Sequence, residues 1–197
     1  MNKQTLTAAT VLIVIAVGAV ALFRASGRPD IRGTWISQKC LEQDGKSPIY
    51  TKRGYKFTEA TWTRTVEIYK DADCAEKDMT EERSGEYEFG DKMDESGSYG
   101  LHMQQTSIKI TAHNITVASV LEQVECGGGS WDIDSPKEIS NDPDGHCLGW
   151  IDTKCEPYKD IVKKEGDALL IGETYPGACF GDLGDFNLGT DQLKKSQ

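Results

Sequence analysis

The stretch "GTWISQKC", Gly33 to Cys40, begins the part of the chain in which apolar and polar residues follow a period of two. Alternation of this kind is typical of a β-strand with one buried face and one exposed face. A Gly-x-Trp triplet opens the stretch, and Cys40 follows the tryptophan by five positions. We therefore expect the first strand of the fold to begin at Gly33.

A second alternating stretch predicts a hairpin. In "WTRTVEIY", Trp62, Val66 and Ile68 share one face, and Arg64 interrupts that apolar face with a charge. The segment "GYKF" precedes it across a short polar connection, so we interpret 54–57 and 62–69 as the two strands of a hairpin.

Two later segments continue the pattern. "GEYEF" alternates so that Tyr87 and Phe89 point inward, and "LHMQQTSIKITA" follows it at 101–112. The phase of the second segment slips between Gln104 and Ser107, where we expect a bulge or turn. Five short strands joined by Gly- and Asp-rich turns predict an antiparallel sheet that curls into a barrel.

A helical pattern then appears in "NITVASVLEQVECGGG", where apolar residues recur at helical spacing. Asn114 is the predicted cap, and Gly127 ends the helix. Further on, "YKDIVKKEGDALLIGE" predicts two short strands around the turn at 165–167, the second strand being Ala168 to Gly172. The predicted fold class is therefore all-β with one short helix, in the form of a small antiparallel barrel.

The first 24 residues predict a targeting or membrane segment. Thr5 to Phe23 carries no charge and is long enough to span a bilayer. Its most apolar part also has the length of a signal peptide, and "AVA" at Ala19–Ala21 is a possible cleavage site. We interpret 1–24 as a transmembrane anchor, with a cleaved signal as the alternative. Residues 25–32 are then a linker, and 33–197 form the ectodomain.

Six cysteines favour export of that ectodomain, although the arginines that follow the apolar segment oppose it. All six lie after the apolar segment, and no Cys-x-x-Cys motif occurs. An even number of such cysteines predicts three disulfides and an oxidising compartment, and free buried thiols are the alternative. We therefore expect either a single-pass protein of the cytoplasmic membrane with its C-terminal domain in the periplasm or outside the cell, or a secreted protein. The cysteines are Cys40, Cys74, Cys126, Cys147, Cys155 and Cys179.

Charge limits the partners that the protein can have. The formal net charge is −10 at pH 7. A surface of this sign is repelled by a phosphate backbone, so nucleic acid is not an expected partner. The sequence identifies no protein partner.

Several of these motifs together resemble a known family. "GTWISQKC" followed by "YKFTEATWTRTVEIYKDADC", residues 55–74, is similar to the repeated domain of the adenomatosis polyposis coli down-regulated proteins, which are membrane-anchored. Gly-x-Trp is also the signature of lipocalin-like (calycin) barrels. The resemblance implies that Trp35 fills the base of a barrel and that Cys40 pairs with Cys74, while the pairing of the other four cysteines stays open.

The second half is similar to small exported bacterial proteins of the same lipocalin-like type. The matching residues are Cys126-Gly127, Trp131, "PKEIS" at 136–140 and the strand pair at 158–173. Those relatives end in a basic R-P-T-x-L motif, where this chain has "LGTDQL" at 188–193. We therefore expect the cation–π contact that closes the barrel over the tryptophan to lack its arginine.

Function follows mainly from this resemblance. Barrels of this class often hold one small ligand, so we expect a non-enzymatic module that binds a small hydrophobic or lipid-like ligand. An envelope scaffold with a filled barrel is the alternative, and a calycin-style enzyme is a third option. No catalytic set, metal site or cofactor is expected. The candidate ligand-binding residues, which core packing would explain equally well, are Trp35, Trp62, Tyr69, Tyr87 and Met103.

Overall fold

The computed structural model describes residues 27–43, 48–93, 97–140, 147, 158–172 and 191–196. The chain divides into a unit at 1–30 and a unit at 31–197. In the described part of the chain, no helix has the length and apolar character needed to cross a membrane. The predicted N-terminal segment, 1–24, lies outside the described residues.

Within the described residues, the second unit contains ten strands and one helix. In chain order they are β1 (Gly33–Ser37), β2 (Leu41–Gln43), β3 (Ile49–Phe57), β4 (Thr61–Tyr69), β5 (Lys77–Lys92), β6 (Tyr99–Ala112), α1 (Ile115–Gln123), β7 (Lys137–Glu138), β8 (Tyr158–Glu165), β9 (Ala168–Ile171) and β10 (Leu193–Lys195).

Eight of these strands form a closed antiparallel barrel. They are hydrogen-bonded in the order β1-β10-β9-β8-β6-β5-β4-β3, and β1 also pairs with β3, which closes the ring. The short strands β2 and β7 extend it by pairing with β3 and β6. The predicted all-β antiparallel barrel with one short helix is thus confirmed.

The predicted phase slip is a register shift between β5 and β6. Ser84 lies opposite Ser107, whereas the next residue, Gly85, lies opposite Gln105. A Cβ atom on Gly85 would stand only 1.8 Å from the carbonyl oxygen of Gln104. The close approach of the two backbones at this shift therefore requires glycine.

Helix α1 begins at the predicted cap. The Asn114 side chain accepts a hydrogen bond from the Val117 backbone N–H at 3.0 Å, which satisfies a donor that the helix leaves unpaired. Ala118 and Leu121 are the buried residues of the helix, and they pack against the end of β6. The chain turns away through Gly127, where φ is +62°.

Replacing Asn114 by alanine should lower the free energy of unfolding by about 1 kcal/mol, because the first turn of α1 loses its cap. The variant also loses the hydrogen bond that Asn114 donates to Asp78. Urea denaturation measures the change. Thr116→Ala, at an exposed position of the same turn, is the control. Equal stabilities of the two variants would contradict the role of the cap.

Two disulfides lie among the described residues of the second unit. Cys40 is bonded to Cys74, as the resemblance implied, and Cys126 is bonded to Cys147. The first joins the chain just after β1 to the β4–β5 connection, and the second joins the end of α1 to the segment beyond β7. Cys155 and Cys179 lie outside the described residues, so the third disulfide stays a prediction.

Candidate ligand-binding site

The barrel wall directs one set of side chains inward. In antiparallel pairs, directly opposite residues share a face, and the register aligns Trp35 with Tyr55 and Phe57 with Trp62. These residues belong to a buried group that we call the base cluster. Its members are Ile31, Trp35, Tyr55, Phe57, Trp62, Leu101, Met103, Val162, Leu169, Ile171 and Leu193.

Trp35 is fully buried in the base cluster, and its indole N–H donates to the carbonyl oxygen of Ile31 at 2.6 Å. Ile31 belongs to the predicted linker 25–32, but the residue is buried beside the tryptophan. Donor and acceptor are four residues apart, so this hydrogen bond holds the segment before β1 against Trp35. Trp35 thus contributes both apolar area and a satisfied polar group.

Two lysines supply the cations over Trp35. The ammonium groups of Lys164 and Lys195 each lie 5.8 Å from the centre of the Trp35 ring system. This distance is within the range of a cation–π contact. The contact lacks an arginine, as expected, and lysines on β8 and β10 supply the cations over the ring.

The structure brings four of the five candidate ligand-binding residues together. Trp35, Trp62 and Met103 are buried members of the base cluster, and Tyr87 is partly buried against it. Tyr69 is not a member of that cluster. Its hydroxyl donates to Glu67, and the ammonium groups of Lys52 and Lys77 lie over its ring.

An aromatic row leads outward from the base cluster along β3, β5 and β6. Consecutive ring centres are 5.2 to 6.1 Å apart, distances typical of stacked or edge-to-face pairs. The last three rings are only partly buried, so apolar surface continuous with the core reaches the outside. The row is Tyr55, Phe57, Tyr87, Phe89 and Tyr99.

A second buried group, which we call the helix cluster, lies where α1 covers the barrel. It joins Met79 of β5 and Ile108 and Ile110 of β6 to Leu121 of α1 and to Trp131. The indole N–H of Trp131 donates to the carbonyl oxygen of Cys126 at 3.0 Å. The barrel interior therefore has apolar material at both ends.

Charged side chains share the inner face with the helix cluster, where Arg83 lies opposite Ile108 and Glu81 lies opposite Ile110. Arg64 and Arg83 are 5% and 4% exposed, and Glu81 is 8% exposed. Arg83 donates to Glu81 through Nε at 2.7 Å and through a terminal nitrogen at 3.4 Å. In the sequence, Arg64 stands out only as an interruption of an apolar face, and Glu81 and Arg83 carry no signal of burial, because "TEERS" is typical of a solvated segment.

The outer face holds a small hydrogen-bonded group around Glu67. Burial acts to raise the pKa of this carboxyl, but hydrogen bonds from Lys77 and Tyr69 outweigh it and hold the pKa below its ordinary value of 4.5. Burial, together with the hydrogen bond to Glu67, raises the pKa of the Tyr69 hydroxyl. The group stabilises the folded state as long as the carboxylate is ionised.

This arrangement predicts an acid-sensitive contribution to stability. Because folding lowers the pKa of Glu67, its contribution is present above the unfolded value near 4.5 and is lost as the pH falls through the lower, folded value. Glu67→Gln should therefore have a lower free energy of unfolding than the wild type at pH 7. The difference in free energy of unfolding between the two should become smaller towards pH 3.

Urea denaturation across this pH range measures the gap between Glu67→Gln and the wild type. Tyr69→Phe is the matched control: it removes one donor to the carboxylate, so the pH dependence should weaken without vanishing. A gap of constant size from pH 7 to pH 3 would contradict the assignment.

A groove of about 340 Å³ lies beside Tyr69 at the edge of the helix cluster. Its lining is mainly apolar and comes from the start of β3, the end of β4, β5 and α1. The lining residues are Pro48, Ile49, Ile68, Tyr69, Lys70, Asp78, Met79 and Val117. Among the described residues, no three His, Cys, Asp or Glu side chains are grouped as metal ligands.

Comparison with models of known protein families finds no match for this chain, and comparison with curated proteins finds none either. The barrel interior, with its aromatic row and its charged layer, is therefore the basis on which a function can be inferred.

Proposed function

We propose that the chain is an exported, non-enzymatic binding module whose barrel holds a small hydrophobic or lipid-like ligand. The observation that carries the proposal is the aromatic row, because Tyr87, Phe89 and Tyr99 are only partly buried. Partly exposed rings that continue into a buried core form a surface that an apolar molecule can cover. Binding then removes apolar area from water, with no covalent step.

The proposed location is the outer side of the cytoplasmic membrane, with 1–24 as the tether or as a cleaved signal. Its support comes from the two disulfides, which are typical of proteins in oxidising compartments. The resemblance to lipocalin-like barrels agrees with the closed eight-stranded architecture. That architecture also suits a ligand that is enclosed within a barrel.

A second function, an envelope scaffold with a filled barrel, is favoured by a different observation. Helix α1 exposes Ile115 and Val120, which are 66% and 52% exposed, and the apolar groove lies near the start of the same helix. Exposed apolar side chains beside a groove are typical of a surface that contacts another protein. In this function the buried base cluster serves stability alone.

A neutral apolar dye, N-phenyl-1-naphthylamine, tests the binding module in a fluorescence titration of the full chain. Tyr87→Ala should weaken binding by about five- to tenfold, because the dye loses one aromatic wall. Tyr50→Ala is the matched control, since Tyr50 is a partly buried tyrosine on the opposite face of the sheet. Absence of saturable binding, or equal losses in both variants, would contradict the proposal.

A further inference from the structure

A second apolar surface lies at the end of the barrel that α1 covers. Its centre is the groove between β3, β4, β5 and α1, whose lining is mainly apolar. Ile49 of β3 lines this groove and is 42% exposed. Because Ile49 and Phe57 stand at opposite ends of β3, the groove is about 25 Å along the strand from the base cluster. The groove is therefore separate from the aromatic row.

The apolar surface continues from the groove onto α1. Val117 lines the groove, and Val120 and Val124 follow it at the spacing of one helix face. Val120 is 52% exposed, and Val124 is partly buried. We call the groove together with Ile49, Val117, Val120 and Val124 the valine surface.

The shape of the valine surface fits a segment of another protein. A pocket for a small molecule encloses most of its ligand, whereas this surface extends from a groove onto the outside of a helix. The three valines span about 10 Å along the helix axis, which is the length of two helical turns. An amphipathic helix that lays its apolar face into such a groove is a recurring mode of peptide recognition.

The rim of the valine surface is acidic. Lys70 and Asp78 line the groove, and between positions 67 and 78 the chain has five acidic and two basic residues. Both lysines are already paired, one with Glu67 and the other with Asp78. Within the described part of the chain, the remaining three carboxylates have no ion-pair partner, and they belong to Asp71, Asp73 and Glu76.

The sign of this charge selects among the occupants of the surface. A second copy of the chain brings the same acidic rim and is repelled by it. An anionic membrane leaflet is repelled for the same reason. A cationic partner is attracted, and its charges guide the orientation in which it binds.

We propose that the valine surface binds a cationic amphipathic segment of another protein. The apolar side chains of that segment cover the groove and the valines of α1, and its lysine or arginine side chains face the acidic rim. The inference goes beyond the binding module, because this surface lies at the other end of the barrel from the base cluster.

Fluorescence anisotropy of the full chain with a labelled peptide tests the inference. The probe is a helical peptide of leucine and lysine with all its leucines on one face. Two control peptides carry glutamate in place of every lysine, or serine in place of every leucine. The wild type should bind the leucine–lysine peptide about ten times more tightly than either control peptide, and rising salt should weaken that binding.

Ile49→Ser and Val120→Ser should each weaken binding of the leucine–lysine peptide by about five- to tenfold, because each removes apolar area that the peptide covers. Ile36→Ser is the matched control, since Ile36 of β1 is also 42% exposed but lies outside the valine surface. Equal losses in the control and in the two test variants would overturn the site.

Asp73→Asn combined with Glu76→Gln should weaken binding by about three- to tenfold and reduce its salt dependence. The control combines Glu86→Gln with Glu88→Gln, which removes the same charge from exposed positions near the base of the barrel. If both double variants lose the same affinity, the attraction is general and the acidic rim has no part in it, which would also overturn the proposal.

The remaining outcomes are equally decisive. Absence of saturable binding of the leucine–lysine peptide, or equal binding of the glutamate peptide, would overturn the inference. A wild-type dimer that Ile49→Ser converts to a monomer, measured by light scattering, would assign the surface to a second copy instead. Titration with N-phenyl-1-naphthylamine reports on the barrel alone, so failure of this inference is distinguishable from failure of the proposed function.

Discussion

Trp35→Ala should lower the free energy of unfolding by about 3 to 5 kcal/mol, the range typical of truncating a buried aromatic side chain to alanine. The indole is fully buried in the base cluster, so its removal leaves a cavity among large neighbours. The carbonyl oxygen of Ile31 also loses its hydrogen-bond donor, and Lys164 and Lys195 lose the ring beneath their ammonium groups.

Urea denaturation followed by far-ultraviolet circular dichroism measures this loss, since the signal does not depend on tryptophan fluorescence. Ile36→Ala is the control, because Ile36 is the next residue on β1 and lies on the exposed face. A surface substitution of this kind should change stability by about 0.5 kcal/mol or less. Equal losses in the two variants would show that Trp35 does not anchor the base of the barrel.

Replacing Cys40 and Cys74 together by serine should lower the free energy of unfolding by about 3 to 4 kcal/mol. The bonded cysteines are 34 residues apart, so the cross-link restricts a long loop of the unfolded chain. In the folded state it holds the segment after β1 against the β4–β5 connection. Asp71 lies at the start of that connection, and its carboxylate accepts backbone hydrogen bonds from Ala75 and Glu76 at the end of it.

Thermal and urea denaturation of the double serine variant, compared with the oxidised wild type, measure the contribution of this disulfide. The same exchange at Cys126 and Cys147, which are 21 residues apart, provides the comparison and should cost about 3 kcal/mol. A Cys40/Cys74 double variant as stable as the oxidised wild type would contradict the account.

Local patterns predicted the elements that depend on neighbouring residues. The β3–β4 hairpin, the Asn114 cap and the β5–β6 register shift each carry a signal within a few positions of the sequence. Strand β10 carries no such signal, because its three residues become a strand only through pairing with β1 and β9. Strands β2 and β7 were missed for the same reason.

The first half of β5 was missed for a different physical reason. Its inward residues include Glu81 and Arg83, so the segment lacks the apolar period that marks a half-buried strand. Sequence alone does not distinguish a buried ion pair from a solvated charge run. The charged layer of the barrel therefore emerges only from the register of β4 and β5.

The sequence is sufficient to predict that Tyr69 and Trp62 lie on opposite faces of β4. Tyr69 follows Trp62 by seven residues, and an odd separation on a regular strand places two side chains on opposite faces. Its contacts with Glu67 and Lys52 agree with that rule. Trp35, Trp62 and Met103, by contrast, come together as their alternation and the barrel closure require.

Native mass spectrometry of the full chain tests the central claim that the barrel holds a small ligand. The protein is produced in an oxidising compartment, and the same sample is extracted with organic solvent. The expected result is a non-covalent adduct of defined mass, which extraction removes and identifies as a small hydrophobic or lipid-like molecule. Repeated preparations that give only the ligand-free mass, and that do not bind N-phenyl-1-naphthylamine, would contradict the claim and favour the filled-barrel scaffold.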